Sequence, residues 1–309
     1  MQWPSNQSVR IRNGMTVREA LYLVSNTLAQ KGFENPTINA ELLLCFIRSC
    51  RRVHLHLNAD RFLNHKEATS LQKALERRLN HTPLQYIAGT TQFLSFEFSV
   101  NADVFIPRPE TEILVEKAMK RIRITCSGVD PHILVDLGTG CGNIAIALAH
   151  AFPRTHIFAT DISEKALSVA RENANRNNLS DRITFLHGDL FEPLGNRGLE
   201  EKVDACVCNP PYIVRSEMKD LPPEVRDFEP RMALDGGGDG LDVVRRIIPA
   251  AHTFLSRRGL LALEIGQGQS ENVRRMMFAR NQYSDIEVTK DLNNVERVMM
   301  GVKKGTLSD

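Results

Sequence analysis

The chain has no apolar run approaching the roughly 18 residues needed to span a bilayer. Its longest candidate, Leu42-Leu43-Leu44-Cys45-Phe46-Ile47, suits one buried stretch of a helix. Neither sign of charge is in excess. Against 39 Lys and Arg stand 37 Asp and Glu, a formal net charge of +2, too weak by itself to imply a nucleic-acid partner. Cysteine is sparse, with residues at 45, 50, 126, 141, 206 and 208 and no zinc-finger spacing. Buried free thiols in a reducing cytosol are the expectation. Cys206 and Cys208 alternate along an apolar segment and share one face, as core residues do. No secretory signal peptide, internal repeat or low-complexity segment is recognised. No Ser/His/Asp arrangement stands out. His54-Leu55-His56 lies between expected helices, and a lone His-x-His is more often incidental than a metal site. These absences leave a globular, cytoplasmic protein without a structural metal, with room in 309 residues for one large domain and a small one.

The stretch through Arg18 has Arg10, Arg12 and Arg18 and no acid, which faintly resembles a transit peptide but lacks a convincing amphipathic helix. A simple extension is expected, with folded structure from about Met15. Thr16-Val17-Arg18-Glu19 is a capping box, in which Thr and Glu side chains satisfy orphan helix amides. It opens a helix with Val17, Ala20, Leu21, Val24 and Leu28 on its apolar side, stopped by Gly32. Pro36 and Thr37 begin a second helix through Ala40, Leu43, Leu44 and Ile47. A third runs from about His65 to Leu79, with Leu71, Leu75 and Leu79 on one stripe. Residues 1–85 therefore read as a small helical domain. Residues 86–106 read as a β-hairpin linker: residues 93–100 alternate, Asn101-Ala102-Asp103 turns, and Val104-Phe105-Ile106 starts a return strand. From 107 to 309 strands and helices alternate. Strands are expected at 133–137, 156–160, 183–187, 203–208, 260–265, 284–289 and 296–302, and helices at 143–151, 164–176, 241–255 and 271–280. Such alternation predicts an α/β fold with a mostly parallel, doubly wound sheet.

Asp136-Leu137-Gly138-Thr139-Gly140-Cys141-Gly142 sits where the first of these strands turns into its helix. Three alternate glycines let the backbone approach a ligand without Cβ clashes. The dinucleotide fingerprint Gly-x-Gly-x-x-Gly fails, because its third glycine position is Asn143, and no Gly-Lys-Ser/Thr follows for a phosphate loop. Asp161 ends the second strand, where an acid can accept hydrogen bonds from ribose hydroxyls; it can equally cap the helix starting near Ser163. Gly188-Asp189-Leu190 ends the third strand, where a group meets an adenine edge, and Asp189 can equally cap a turn. Asn209-Pro210-Pro211-Tyr212 ends the fourth. Each proline holds the residue before it extended and lacks an N–H. The Asn209 side-chain carbonyl and the Pro210 backbone carbonyl are left as acceptors beside the Tyr212 ring, a setting that suits a planar –NH2 group.

Together these segments resemble a class I S-adenosylmethionine-dependent methyltransferase. Phe105-Ile106-Pro107-Arg108-Pro109-Glu110-Thr111-Glu112, Phe228-Glu229-Pro230-Arg231-Met232-Ala233-Leu234-Asp235-Gly236-Gly237, Leu263-Glu264-Ile265-Gly266-Gln267-Gly268 and Asn294-Val295-Glu296-Arg297-Val298 narrow the resemblance. They are similar to the family that methylates the glutamine of peptide chain release factors, over about Met15 to Lys303. The Asn-Pro-Pro-Tyr tetrad is shared with amino-methylating nucleic-acid enzymes, whereas the Pro-Arg-Pro-Glu-Thr-Glu run is more restrictive.

The resemblance implies methyl transfer from S-adenosylmethionine to the side-chain amide nitrogen of the glutamine in a release factor's Gly-Gly-Gln motif, leaving S-adenosylhomocysteine. It places the methionine end of the cofactor near Gly138, Thr139, Gly140, Cys141 and Gly142, its ribose on Asp161, and its adenine near Asp189 and Leu190, with Asn209 close by. Some relatives stack an aromatic residue where Leu190 stands, so weaker cofactor affinity is expected here. Asn209, Pro210, Pro211 and Tyr212 would hold the substrate amide, with Asn209, Pro210 and Tyr212 catalytic. Glu229 would position the Asn209 loop. Arg108, Glu110 and Glu112 would either guard the entrance or stabilise a helix start. The helical domain would grip the release-factor body, the protein acting as a monomer without direct nucleic-acid or membrane contact. Other readings stay open: a ribosomal-protein glutamine methyltransferase, an adenine-N6 nucleic-acid methyltransferase acting on a flipped base, and a non-catalytic module that kept the fold.

Overall fold

A computed structural model describes residues 10–305. They form two compact units. One is the chain through Gly89 together with Pro223–Phe228; the other is Thr90–Pro222 and the chain from Glu229 onward.

The helical unit holds α1 (Val17–Gln30), α2 (Pro36–Arg48), α3 (Arg52–Leu57), α4 (His65–Leu79) and α5 (Leu84–Ala88). Thr16 and Glu19 close the expected capping box, the Glu19 N–H donating to Thr16 Oγ1 at 3.2 Å and the Thr16 N–H to Glu19 Oε2 at 2.7 Å. Asn64 and Glu67 make a second box at the start of α4. Two short helices were not anticipated. His54 and His56 lie on one of them, α3, rather than between helices, and His56 Nε2 meets Glu41 Oε1 at 2.9 Å. Val17, Val24, Leu28, Leu43, Leu44, Leu71 and Leu75 form a dry core. Ile11 joins it, with its N–H donating to Gln72 Oε1 at 2.9 Å. Ordered chain therefore begins before Met15. The earlier part of the Arg-rich stretch, residues 1–9, lies outside the described residues.

Pro223–Phe228 contributes the short helix α9 (Pro223–Arg226) to this unit. Glu224 on it ion-pairs with the buried Arg78. Arg78 Nε also donates to Asn39 Oδ1 at 2.8 Å and Nη1 to the Thr82 carbonyl at 3.1 Å, while the guanidinium lies over the Phe33 ring. A buried charge must be paired to persist, and this one has all three ends of its fork engaged.

The second unit opens with the hairpin β1 (Thr90–Phe93) and β2 (Phe96–Ser99). Its turn is at Leu94-Ser95, where Leu94 has φ 51° and donates its N–H to Glu112. The hairpin is thus earlier than the alternation implied. The Asn101 side chain does make a turn with Asp103, but no return strand follows. The reason is partly local and partly tertiary. Pro107 and Pro109 lack donors, and the Ile106 N–H is taken by Glu229 Oε2 at 3.3 Å.

Next come α6 (Pro109–Thr125), β3 (Ile133–Leu137), α7 (Asn143–Ala151), β4 (His156–Asp161), α8 (Glu164–Arg176), β5 (Ile183–His187) and β6 (Val203–Cys208). Beyond α9 lie α10 (Asp242–Phe254), β7 (Leu255–Glu264), α11 (Ser270–Phe278), β8 (Tyr283–Lys290) and β9 (Glu296–Lys303). The seven strands pair in the order β5-β4-β3-β6-β7-β9-β8. The pairs from β5 to β7 are parallel, and β9 runs antiparallel between β7 and β8. One face, with Val135, Leu137, Cys206, Cys208, Leu261 and Leu263, packs on Val244, Ile247 and Ile248 of α10 and on Val273 and Met277 of α11. The alternate residues Leu134, Ala205, Val207, Leu260 and Ala262 are equally buried, and α6, α7 and α8 cover that side. Burial on both faces explains why these strands read as nearly continuous apolar runs.

Replacing Arg78 by Ala is expected to destabilise the helical unit by about 3–5 kcal/mol, because Asn39, Thr82 and Glu224 lose a shared partner. Denaturant unfolding of the two proteins measures it, and an unchanged midpoint would refute the assigned role.

Candidate active site

Chain order reverses between β3 and β6. From β3 the chain steps outward through β4 to β5, then returns to pair β6 on the other side of β3. Ligands of open parallel sheets lodge at such a switch point, beyond the carboxyl ends of the strands. Here Leu137 pairs with Cys208, Leu137 with Thr160 and Asp161 with His187. The glycine turn, Asp161, the Gly188-Asp189-Leu190 segment and the Asn209 tetrad therefore all leave the sheet along one edge, and the first and last of these leave side by side.

Gly138 and Gly140 have φ of 65° and 55°, and a side chain at either would meet nothing within 4 Å. Their backbone is open to a ligand. Gly142 differs, since a Cβ there would lie 3.2 Å from Ala170 Cβ. Its missing side chain lets the start of α7 pack on α8, so the open cradle has two glycines and not three. Between them, Thr139 and Cys141 are buried. Thr139 Oγ1 donates to Asp136 Oδ2 at 2.6 Å, and the Ala145 N–H donates to the same oxygen at 3.0 Å. Asp136 Oδ1 is buried without a hydrogen-bond partner among the described residues, and burial raises this carboxyl to about 7. Burial likewise pushes the Cys141 thiol up to about 12, so Cys141 offers its backbone and not a thiolate. Asn173 on α8 locks the turn, its Nδ2 donating to the Cys141 carbonyl at 2.9 Å and to the Ser99 carbonyl at 3.1 Å.

Asp161 makes the backbone contacts of a helix cap and keeps room for the other expected role. Its Oδ1 accepts the Ser163 N–H at 2.9 Å at the head of α8, and its Oδ2 accepts the Gly140 N–H at 2.8 Å. Burial raises its pKa, opposed by those backbone donors. Each carboxylate oxygen has a second lone pair, so two hydroxyls of a ribose can still be bound. Asp189 is ion-paired with Arg246, Oδ2 to Nη2 2.6 Å. Leu190 has φ 50° and packs, half-buried, against the core.

Asn209 is half-buried at the end of β6. Its Nδ2 donates to Thr111 Oγ1 at 2.9 Å. Among the described residues nothing donates to Asn209 Oδ1 or to the carbonyl of the buried Pro210. Thr111 Oγ1 donates to Glu264 Oε2 at 2.7 Å, and Tyr212 Oη donates to Glu264 Oε1 at 3.2 Å. The Tyr212 carbonyl accepts from Gln269 Nε2 at 2.9 Å. Glu264 is fully buried. Burial raises its carboxyl to about 7, against the lowering effect of its hydrogen bonds to Thr111 and Tyr212. Burial and the neighbouring Glu264 push the Tyr212 phenol up. Pro211 has no side-chain polar group and keeps the tetrad extended.

Thr111, Glu264 and Gln269 thus underlie the tetrad, and no role was expected for them. One signal existed: Glu264 ends the apolar run Leu260-Leu261-Ala262-Leu263 of β7, and a carboxylate closing such a run needs dedicated partners. Glu229, expected to position the Asn209 loop, has an observed task elsewhere. It holds the segment before α6, accepting the Ile106 N–H and pairing with Arg108, whose guanidinium lies over the Phe105 ring. Glu112 is occupied by the Leu94 N–H, whereas the charge of Glu110 adds a small upward push to the Tyr212 and Glu264 pKa values.

The site thus joins an open glycine turn, a carboxylate at the end of the next strand, and an amide carbonyl and a backbone carbonyl to which no described residue donates. Comparison with known proteins agrees in both units. Residues 19–89 match the PrmC N-terminal domain and residues 111–222 the methyltransferase small domain. A release factor glutamine methyltransferase of Geobacter sulfurreducens is 40% identical over 288 residues, covering 93% of this chain and 96% of its own. Its counterpart in Moorella thermoacetica is 41% identical over 290 residues, covering 94% and 99%. Among solved structures, the hMettl16 catalytic domain in complex with MAT2A 3′UTR hairpin 1 has a TM-score of 0.55 at 17% identity, covering 80% of this chain and 86% of that one. That likeness speaks for the fold, a class I methyltransferase sheet. With identity of this order across nearly the full length of both relatives, the chain belongs to the release factor glutamine methyltransferase family.

Proposed function

We propose that this chain methylates the side-chain amide nitrogen of the glutamine in the Gly-Gly-Gln motif of peptide chain release factors, with S-adenosylmethionine as the methyl donor. One observation carries the reading. Asn209 spends its –NH2 on Thr111, so its carbonyl is the end left for a ligand, next to the unpaired Pro210 carbonyl and beside the glycine turn. Two acceptors at one strand end match a carboxamide, which has two N–H bonds to offer.

The cofactor fits the residues present. Gly138 and Gly140 leave room for its methionine end, Asp161 has lone pairs for its ribose hydroxyls, and Asp189 and Leu190 stand at the next strand end for its adenine. When bound, it supplies an electrophilic sulfonium methyl. The protein's task is then the nucleophile, because the lone pair of an amide nitrogen is delocalised into its carbonyl. Asn209 Oδ1 and the Pro210 carbonyl would each accept an N–H of the substrate glutamine and fix the direction of its nitrogen. They would also stabilise positive charge developing there, as preorganised dipoles do. Alignment of this kind can contribute about 7–11 kcal/mol to lowering a barrier. The Tyr212 ring, tethered through its hydroxyl to Glu264, would pack on the amide plane. A Gly-Gly-Gln tripeptide offers few side chains to recognise, so the helical unit would bind the release-factor body.

Incubation of the protein with S-adenosylmethionine and a purified release factor should add one methyl group to the Gly-Gly-Gln peptide, read by mass spectrometry. An unmodified glutamine, or methylation elsewhere, would overturn the assignment. Asn209→Ala is expected to lower transfer by at least about 100-fold, as loss of an oriented stabilising dipole does, with cofactor affinity within a few-fold of wild type. Asp161→Ala should do the reverse in kind, raising the cofactor dissociation constant about 10- to 100-fold through lost charge-assisted hydrogen bonds. Calorimetric titration of each variant separates the two effects.

A further inference from the structure

We propose that Glu264, acting through Thr111, fixes which way round the Asn209 amide is presented, so that Oδ1 and not Nδ2 faces the substrate. Both are positioning residues, and the proposal rests on the role given to Asn209 above. An asparagine amide can turn half a revolution about its last bond with almost no change in shape. Packing alone therefore does not choose between an outward carbonyl and an outward –NH2. The choice is decisive for the reaction, because an outward –NH2 would oppose the –NH2 of the incoming glutamine, donor against donor.

Hydrogen-bond polarity makes the choice. A carboxylate only accepts. Thr111 has one hydroxyl proton, and Glu264 Oε2 takes it at 2.7 Å. Thr111 Oγ1 is left with lone pairs toward Asn209, and Nδ2 fills the vacancy at 2.9 Å. The reversed amide would set Oδ1 against those lone pairs. Thr111 is 2% exposed, so solvent does not repair the lost bond, and an unmade bond in such a place is strongly disfavoured. The other oxygen of Glu264 takes the Tyr212 proton. A single buried anion thereby sets the polarity at both ends of the tetrad.

The relay depends on the charge of Glu264. Protonated on Oε2, the carboxyl can donate to Thr111, the threonine proton is released toward Asn209, and the reversed amide becomes acceptable. The groups facing Glu264 pull in opposite senses. Glu110 from α6 favours the protonated form, Arg297 from β9 the charged one, and Tyr212 donates to it; the Cys208 thiol of β6 lies within its field. With burial dominant and the carboxyl near 7, the relay should lose its fixed polarity as pH falls through that value.

The test uses the full chain with a purified release factor. It compares wild type, Thr111→Val, Thr111→Ser and Glu264→Gln by kcat, KM, cofactor dissociation constant and thermal midpoint. Thr111→Val should lower kcat/KM for the protein substrate about 10- to 100-fold, and Thr111→Ser should stay within about threefold of wild type, both with cofactor affinity unchanged within about twofold. Wild-type kcat/KM should fall on the acid side of about pH 7, and Glu264→Gln, which has no ionisable group there, should lose that limb. A Thr111→Val enzyme as active as wild type, a Thr111→Ser enzyme as poor as Thr111→Val, or an acid limb that persists in Glu264→Gln would each overturn the relay while the proposed function stands. Wild-type protein that leaves the glutamine unmodified would overturn both. If Thr111→Val does not fold, the serine variant and the pH profile of Glu264→Gln decide.

Discussion

The pairing of β3 with β6 is the constraint on which the site depends. These strands are far apart in the chain, yet their last residues, Leu137 and Cys208, are in register. A parallel ladder fixes where each strand stops relative to its neighbour. The glycine turn and the tetrad are therefore held at a common level by backbone hydrogen bonds that neither segment makes itself. Cys206 and Cys208 supply small, apolar side chains on the α10 face of β6, and Val135 and Leu137 do the same on β3. Packing on both faces makes a slip in register expensive, since it would turn every side chain to the wrong side.

Beneath that edge lie two buried acids with different tasks. Asp136 ties the glycine turn to the first turn of α7 through Thr139 and Ala145. Glu264 ties the tetrad to α6 through Thr111, and to itself through Tyr212. Neither acid touches the open surface. Each converts an irregular loop, which would otherwise sample several conformations, into a defined set of outward groups. Long flexible acids at the surface would do this poorly, because their rotamer freedom would have to be lost. At the buried carboxyl end of a strand the freedom is already gone.

Much of the fold was legible because its signals are local. The box at Thr16-Glu19, the stop at Gly32 and the strand-to-helix steps from Ile133 to Cys208 each depend on a few adjacent residues. The hairpin was misjudged because residues 93–100 alternate whether or not the chain turns at Leu94, and the turn is held by Glu112, far along the sequence. The short helix with His54 and His56 escaped notice for a related reason. Its pairing with Glu41 on α2 is tertiary. In the site, the tetrad and the glycine turn declared themselves through proline and glycine, which restrict or free the backbone wherever they occur. Thr111 was silent, and the acid closing an apolar run at Glu264 gave no hint of its role, because what matters is that the two meet, 153 positions apart. Glu229 carried a signal, but its pairing with Arg108 and Ile106 was not read from it.

The excursion at Pro223–Phe228 has an architectural consequence. The chain that has just formed the tetrad crosses over to add a short helix to the helical unit, then returns at Glu229. The smaller unit is consequently not a detachable leader. Cutting after Gly89 would yield a fragment in which Arg78 has lost its carboxylate and a catalytic half that carries an orphaned loop. Shuffling such halves between homologues by a single splice would fail for the same reason. One thread passes between the two units three times, so no single cut separates them.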